Sequence, residues 1–289
     1  MVIQHFFDPA TWTLTYVVYD GQQKVGVVID SVTDFDPKSG WTSFRSCEQV
    51  AAFIEASKLR ILYVMDTHAH ADHLTGMPFF VDRYKARSVI GDKITLVQET
   101  FREVFNLGTG FPVDGRQFDI LLGEGQALAV GPLRIEGLHT PGHTPACMTY
   151  RIGDAVFVGD VIFMPDYGTA RCDFPKGSAD VLYDSIQKLY ALPDSIRVFT
   201  GHDYQPSGRA LRFESTIGEE KRSNVHLREG TSRAEFVAFR RKRDATLDMP
   251  NLIIPSVQVN IRAGNLPEPE SNGVSYLKVP LNRLRSAAT

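Results

Sequence analysis

Residues Thr67 to Gly76 read Thr-His-Ala-His-Ala-Asp-His-Leu-Thr-Gly, which puts three histidines and an aspartate within the six positions from His68 to His73. The apolar run Ile61-Leu62-Tyr63-Val64-Met65 before it predicts a buried strand. Side chains two apart on an extended chain point the same way, so His68, His70 and Asp72 can converge on one point. His73 is then expected to open a helix, with Leu74, Met77, Phe80, Val81 and Tyr84 at helical spacing. Imidazole and carboxylate are ligands that Zn(II), Fe(II) and Mn(II) accept. A lone histidine is ordinarily a satisfied structural residue. Four such groups at one strand end make a metal site.

The 289 residues are ample for a large core, and 43% apolar with 22% charged is ordinary globular composition. A net charge of −3 leaves no excess of cations for phosphates and argues against a nucleic-acid partner. The basic run Arg240-Arg241-Lys242-Arg243 follows a capping box from Ser232 to Glu235, and a solvated helix face is the better reading of it. Cys47, Cys147 and Cys172 are too few and too scattered for a disulfide framework, which predicts a reducing compartment. No stretch approaches the ~18 apolar residues of a membrane span. Met1 to Pro9 lacks the basic start and apolar core of a signal peptide, so a cytoplasmic protein is expected.

In chain order, Leu14–Tyr19 and Lys24–Asp30 predict a hairpin, and Asp34–Thr42 a loop. Ser46 with Gln49 predicts a capped helix burying Val50, Phe53 and Ile54. A strand near Val89 precedes a helix with Ile94, Val97, Phe101, Val104 and Phe105 on one face. Strands then follow closely at Phe118–Leu121, Ala127–Val130, Leu133–Leu138, Met148–Ile152 and Ala155–Val158. Val181, Leu182, Ser185, Ile186 and Leu189 mark a further helix, and Arg197–Thr200 a last strand. From Pro250 the chain shows no helical period. The expectation is a catalytic domain over 1–249 and an extended arm, 250–289, lying along it. Hairpins alternating with helices point to two sheets packed face to face with helices outside, an αββα sandwich.

Three later segments repeat the strand-end pattern. His143 lies in Thr140-Pro141-Gly142-His143-Thr144-Pro145, Asp160 in Val158-Gly159-Asp160, and His202 in Thr200-Gly201-His202-Asp203. A glycine, which permits strained turns and close approach to an ion, precedes each candidate ligand.

Together with Thr67–His73, these segments resemble the metallo-β-lactamase fold superfamily across roughly Leu14 to Asp203. The resemblance independently implies the αββα sandwich. It also implies up to two metal sites, with His68, His70 and His143 in one, Asp72, His73 and His202 in the other, and Asp160 between them. Zinc β-lactamases place a cysteine in the second site, whereas this chain has Asp160 in the bridging role, which counts against a lactamase. Gly168-Thr169-Ala170-Arg171-Cys172-Asp173-Phe174, Gly201-His202-Asp203-Tyr204 and Gly218–Asn224 resemble the persulfide dioxygenase branch. The departures are Ala170 and Cys172, where mitochondrial members carry glycine and threonine, the Asp34–Thr42 loop, and the long C-terminal segment.

That branch implies one Fe(II) per chain on His68, His143 and Asp160, with His70, Asp72, His73 and His202 hydrogen-bonding to ligands or water. Asp72, His73 and Tyr204 would be the catalytic groups, and Arg171, with Tyr204, would bind the carrier of the substrate. Cys172 reads as a buried thiol, because no activating base stands at recognisable spacing. The implied partners are a small thiol persulfide, with glutathione persulfide foremost, and O2, in a homodimer or homotetramer. The alternative is a glyoxalase II-type hydrolase of thioesters with two Zn(II). A metal-binding but inactive partner or sensor is a third reading, disfavoured by the complete ligand set.

Overall fold

A computed structural model describes residues 1–284. The first six-stranded sheet is built from β1 (Val2–Asp8), β2 (Thr13–Asp20), β3 (Val25–Ile29), β6 (Arg60–Met65), β8 (Arg87–Gly91) and β9 (Ile120–Leu122), in that order. Its first three strands are antiparallel. The rest run parallel, as they must where α1 (Arg45–Ala56), α2 (Met77–Tyr84) and α3 (Ile94–Val104) carry the chain back between strands. A small sheet of β4 (Val32–Asp36), β5 (Trp41–Ser43) and β7 (Leu74–Thr75) lies beside it. The second six-stranded sheet runs β10 (Ala127–Val130), β11 (Leu133–His139), β12 (Met148–Ile152), β13 (Ala155–Gly159), β14 (Arg197–Thr200) and β15 (Glu214–Thr216). α4 (Ala179–Tyr190) makes its parallel crossover, and α5 (Ile217–Ser223), α6 (Arg233–Asp244) and α7 (Ile253–Asn260) follow.

The central strands β2, β3 and β13 are apolar on both faces, as suits strands covered on both sides. Leu14, Tyr16 and Val18 of β2 and Val25, Val27 and Ile29 of β3 join Tyr150, Ile152, Phe157 and Phe199 in the core between the sheets. Val17 and Val28, pointing the other way, pack with Val50, Ile54, Phe80 and Phe101 of the first helical layer. Val156, Val158 and Val198 do the same with Leu182, Ile186, Ile217 and Phe236. The result is the expected αββα sandwich.

Two core tyrosines tie the sheets together at their functional edge. The Tyr16 hydroxyl on the first sheet donates to the Thr200 carbonyl on the second at 2.7 Å, and the Tyr150 hydroxyl donates back to the Asp66 carbonyl at 2.7 Å. Both acceptors stand where ligand-bearing strands end.

Several sequence-based expectations need correction. His73 does not open a helix: the chain first passes through β7, and α2 begins at Met77, with Pro78 in its first turn. Asp34–Thr42 is the β4–β5 hairpin rather than a loop, and β1 is an addition to the expected strands. Ser46 does not cap α1; it lies inside the helix and donates to Asp34 at 3.0 Å. The segment after Pro250 is not simply extended, since it holds α7, whose Val257 is buried in the first core together with Ile261 just beyond the helix. Residues 285–289 of that segment lie outside the described residues. The capping box at Ser232 forms, but the basic run behind it is not one solvated face: Arg240 is 1% exposed, while Arg241 and Lys242 face solvent.

Candidate metal centre

The motif begins just beyond the end of β6, where Asp30, the residue after β3 on the neighbouring strand, holds it in place. Asp30 takes a left-handed backbone conformation (φ 51°) and is buried. Its carboxylate accepts the Thr67 N–H at 2.7 Å and the Thr67 hydroxyl at 2.9 Å, and lies 3.1 Å from His70 Nε2. Burial pushes the His70 imidazole down, but the charge and hydrogen bond of Asp30 outweigh it and raise His70 to about 9. With Nε2 on Asp30, His70 Nδ1 is left buried without a partner.

Two glycines let the other ligands approach. Gly142 has φ 135°, and a Cβ there would fall 2.4 Å from the Leu182 backbone on α4. Gly159 has φ 53°, and a Cβ would fall 2.4 Å from the Thr67 hydroxyl. Only glycine allows the turn before His143 and the strand end before Asp160 to close on the motif.

His68, His143 and Asp160 each bring one ligand atom within 4.8 Å of the others. His68 Nε2 is 3.9 Å and His143 Nε2 3.6 Å from Asp160 Oδ2. His143 Nδ1 lies 2.8 Å from the Arg171 carbonyl, which can only accept; this fixes the tautomer with the Nε2 lone pair toward Asp160. Burial, reinforced by the nearby His70, holds His68 well below the usual imidazole range, so it is neutral and able to ligate. Burial raises Asp160, but the charge of His202 outweighs it and holds the carboxyl well below the ordinary carboxylate range.

A second group, His70, Asp72 and His73, stands beside the first. His73 Nδ1 is 3.0 Å from Asp72 Oδ2 and 3.3 Å from the Thr13 hydroxyl. His202 Nε2 lies 3.5 Å from Asp72 Oδ2 and 3.2 Å from Asp160 Oδ1, yet neither His202 Nε2 nor Asp160 Oδ1 has an aligned hydrogen-bond partner. His68 Nε2, His70 Nδ1 and His73 Nε2 are likewise buried and unpartnered. Each such orphan costs about 1–3 kcal/mol. Gathered in two adjoining groups, these atoms fit one or two metal ions, whose ligands at about 2.0–2.2 Å would satisfy them. This is a metal centre.

The centre opens on a cavity of about 340 Å³ whose wall includes Asp72, His143, Asp160, Phe163, Tyr167, Tyr204 and Arg171. The Tyr204 ring lies nearly parallel to those of Tyr167 (4.6 Å) and His202 (5.6 Å). Arg171 reaches the cavity with its guanidinium already engaged: Nε and Nη2 grip the two oxygens of Asp173 at 2.5 and 2.6 Å, and Nη1 donates to the Asp248 carbonyl at 2.6 Å. Cys172 is buried, and burial pushes its thiol up to about 12. Sequence reasoning missed Asp30, Thr13 and Asn260. The only signal for Asp30 was an aspartate closing an apolar strand, which also marks an ordinary turn.

The metallo-beta-lactamase superfamily model matches residues 13–202, a span that begins at Thr13 and ends on His202. The chain belongs to the metallo-beta-lactamase superfamily. Within it, the chain is 51% identical over 98% of its length to the whole of a "Probable metallo-hydrolase" from Burkholderia pseudomallei. It is 44% identical over 93% of both chains to "Glyoxylase B2" of Dictyostelium discoideum. It is 29% identical over 91% of its length, and 89% of the relative's, to "Persulfide dioxygenase ETHE1, mitochondrial" of Homo sapiens. The solved structure of ETHE1 from Myxococcus xanthus superposes with a TM-score of 0.74 at 30% identity, over 92% of this chain and all of that one. A "Beta-lactamase hydrolase-like protein" of Xylella fastidiosa is longer, and the chain spans 66% of it. No helix among the described residues is long and apolar enough to cross a membrane.

Proposed function

We propose that this superfamily member is an Fe(II)-dependent persulfide dioxygenase, with one iron on His68, His143 and Asp160, acting on glutathione persulfide in the cytoplasm. The observation that carries the reading is the arrangement of those ligands. Two imidazoles and one carboxylate converge beside the cavity, and His143 is locked by the Arg171 carbonyl. Likeness to a relative named persulfide dioxygenase over nine-tenths of the chain supports it. When bound, iron in such a two-histidine, one-carboxylate set supplies neighbouring open positions for the persulfide sulfur and O2 and a path for electrons between them.

The chain's own residues do the rest. The cavity's aromatic wall of Phe163, Tyr167 and Tyr204 shields the reacting sulfur from bulk water. Asp72, kept ionised by His202 and His73 against its burial, accepts a hydrogen bond from the water that completes the reaction. His73 Nδ1, on Asp72 Oδ2 and the Thr13 hydroxyl, fixes that carboxylate's orientation. Atoms balance as one persulfide, one O2 and one water giving one thiol and one sulfurous acid. The outer sulfur is oxidised, O2 is reduced, and the S–S bond breaks with its electron pair passing to the carrier sulfur, which leaves as the thiol.

A second reading rests on the orphaned His70 Nδ1 and His73 Nε2, which with Asp72 can hold a second ion, and on the likeness to a relative named glyoxylase. It gives a dinuclear zinc hydrolase of thioesters. Parallel assays with glutathione persulfide and S-D-lactoylglutathione decide between them. Sulfite from the first and no hydrolysis of the second is the expected result. Rapid thioester hydrolysis without sulfite would reverse the assignment.

A further inference from the structure

The aromatic wall of the metal cavity comes from two loops far apart in the sequence. Phe163 and Tyr167 belong to the loop after β13, and Tyr204 to the loop after β14. The Tyr167 ring stacks on that of Tyr204 at 4.6 Å, and Tyr204 stacks in turn on His202. Stacked rings attract one another only modestly, so the contact does not by itself fix how the two loops sit.

One guanidinium joins the loops. Arg209 Nε and Nη2 donate to the two oxygens of Asp166, beside Tyr167, at 2.5 and 3.0 Å. Nη1 and Nη2 donate to the two oxygens of Asp203, between His202 and Tyr204, both at 2.7 Å. The remaining Nη1 proton goes to the Ala210 carbonyl at 2.9 Å, so every N–H of the side chain is used. Two forked pairs set the plane of each carboxylate as well as its distance. Asp203 is buried and also accepts the Arg212 N–H at 2.7 Å, whereas Asp166 stands at the surface.

The backbone around this clasp is strained. Gln205 and Ser207 have φ 46° and 58°, in the loop that returns Arg209 toward Asp203. Trp12 has φ 56°; its carbonyl accepts the Asp203 N–H at 3.2 Å, and its ring lies 6.0 Å from that of Tyr204 on the same cavity. Residues other than glycine keep such conformations only where surrounding contacts over-determine them, and the forks of Arg209 supply those contacts here.

We propose that Arg209 is a positioning residue: by clasping Asp166 to Asp203 it holds Tyr167 and Tyr204 together as a closed wall over the metal cavity. Arg209 does not itself line the cavity, and it acts through the two tyrosines. The wall's part in turnover rests on the persulfide reading; the clasp does not.

The test reads wall closure and turnover separately. Trp41 is 74% exposed and does not line the cavity, so Trp41→Phe leaves Trp12 as the one tryptophan without touching the site. Arg209→Ala would leave Asp203 buried without its cation and endanger the fold. Asp166→Ala is the cleaner cut, because it opens the clasp from the surface and leaves the Arg209–Asp203 pair intact. In the Trp41→Phe background, Asp166→Ala should raise the acrylamide quenching constant of Trp12 at least ~1.5-fold with iron content unchanged, as local opening frees its Tyr204 neighbour. The same variant should lower kcat for sulfite formation ~5-fold or more with KM changed less than ~2-fold, since the wall surrounds the reacting sulfur and not the carrier. Arg209→Lys keeps one charge but cannot hold two forks, and should behave alike; the double variant should be no worse than Arg209→Lys alone, because the same clasp is cut. Unchanged quenching in Asp166→Ala would overturn the clasp whatever the rate does, and raised quenching with kcat unchanged would overturn its role in positioning. Raised quenching in a protein whose parent forms no sulfite supports the clasp while the dioxygenase reading fails.

Discussion

Asn260, on the C-terminal helix α7, donates from Nδ2 to the carbonyl of His73 at 2.8 Å, and from the same nitrogen to the carbonyl of His70 at 2.8 Å. Its Oδ1 accepts the Thr75 N–H at 2.9 Å. One buried amide thus closes the backbone of the ligand loop from outside the sandwich. Asn260→Ala leaves three buried backbone groups without partners and should cost on the order of 3 kcal/mol of stability. Iron should also be held less tightly, because His73 and His70 lose their anchor. Thermal unfolding and iron content check both, and a loss below about 0.5 kcal/mol would show that water replaces the amide.

His68 and His202 separate the one-ion and two-ion readings. His68→Ala should lose the iron, because it removes one of only three protein ligands. His202→Ala should keep most of the iron and lose rate, since in the one-ion reading His202 only orients Asp72 and Asp160. Metal analysis of both variants is the check. Equal loss in the two would mean that a second ion is bound there.

Glu220 gives a pH dependence remote from the ligand cluster. Burial raises its carboxyl to about 7, against the hydrogen bonds from Ser215 and Asn224. The folded state therefore holds this proton more tightly than the unfolded chain does. The associated stability is complete below the ordinary carboxyl range and lost as pH rises through about 7. Each tenfold difference in proton affinity between the folded and unfolded states is worth roughly 1.4 kcal/mol, which makes the whole effect on the order of 3 kcal/mol. Glu220→Gln should flatten the stability profile between about pH 4.5 and 7 relative to the parent. Parallel profiles for the two proteins would contradict this.

The three cysteines, Cys47, Cys147 and Cys172, are all buried and unpaired. Burial pushes the Cys147 and Cys172 thiols up to about 12 and raises Cys47 as well. The folded protein should react very slowly with iodoacetamide at about pH 7.5, and all three thiols should react once it is unfolded. Cys172→Ala should retain most of the activity; loss of activity with iron and fold intact would make Cys172 a participant.

What was legible in the sequence was local. His68, His70, Asp72 and His73 share one strand end, and His143, Asp160 and His202 each follow a glycine at another, so chain order alone exposed the cluster. The two β-rich runs Leu14–Tyr19 and Lys24–Asp30 likewise spelled out the hairpin of β2 and β3. What was missed depends on contacts distant in the chain. α7 was obscured by Pro255, which reads as a break; it falls in the first helical turn, where a missing N–H costs nothing. The β4–β5 hairpin has short flanks around a polar turn, and its pairing with β7 lies about 40 residues away. Arg240 looked like part of a solvated run because the Thr169 carbonyl meets it only after α6 packs, although its other partner, Asp244, stands four residues on along the same helix. Asp30 holds the motif across about 40 residues of sequence, a relation that no local pattern carries.

The most direct test of the account is metal stoichiometry and gas uptake measured on one anaerobically purified preparation. The account predicts one iron per chain on His68, His143 and Asp160, and one O2 consumed per sulfite formed when glutathione persulfide is added. A preparation that carries two zinc ions per chain and consumes no O2 with the persulfide would contradict it.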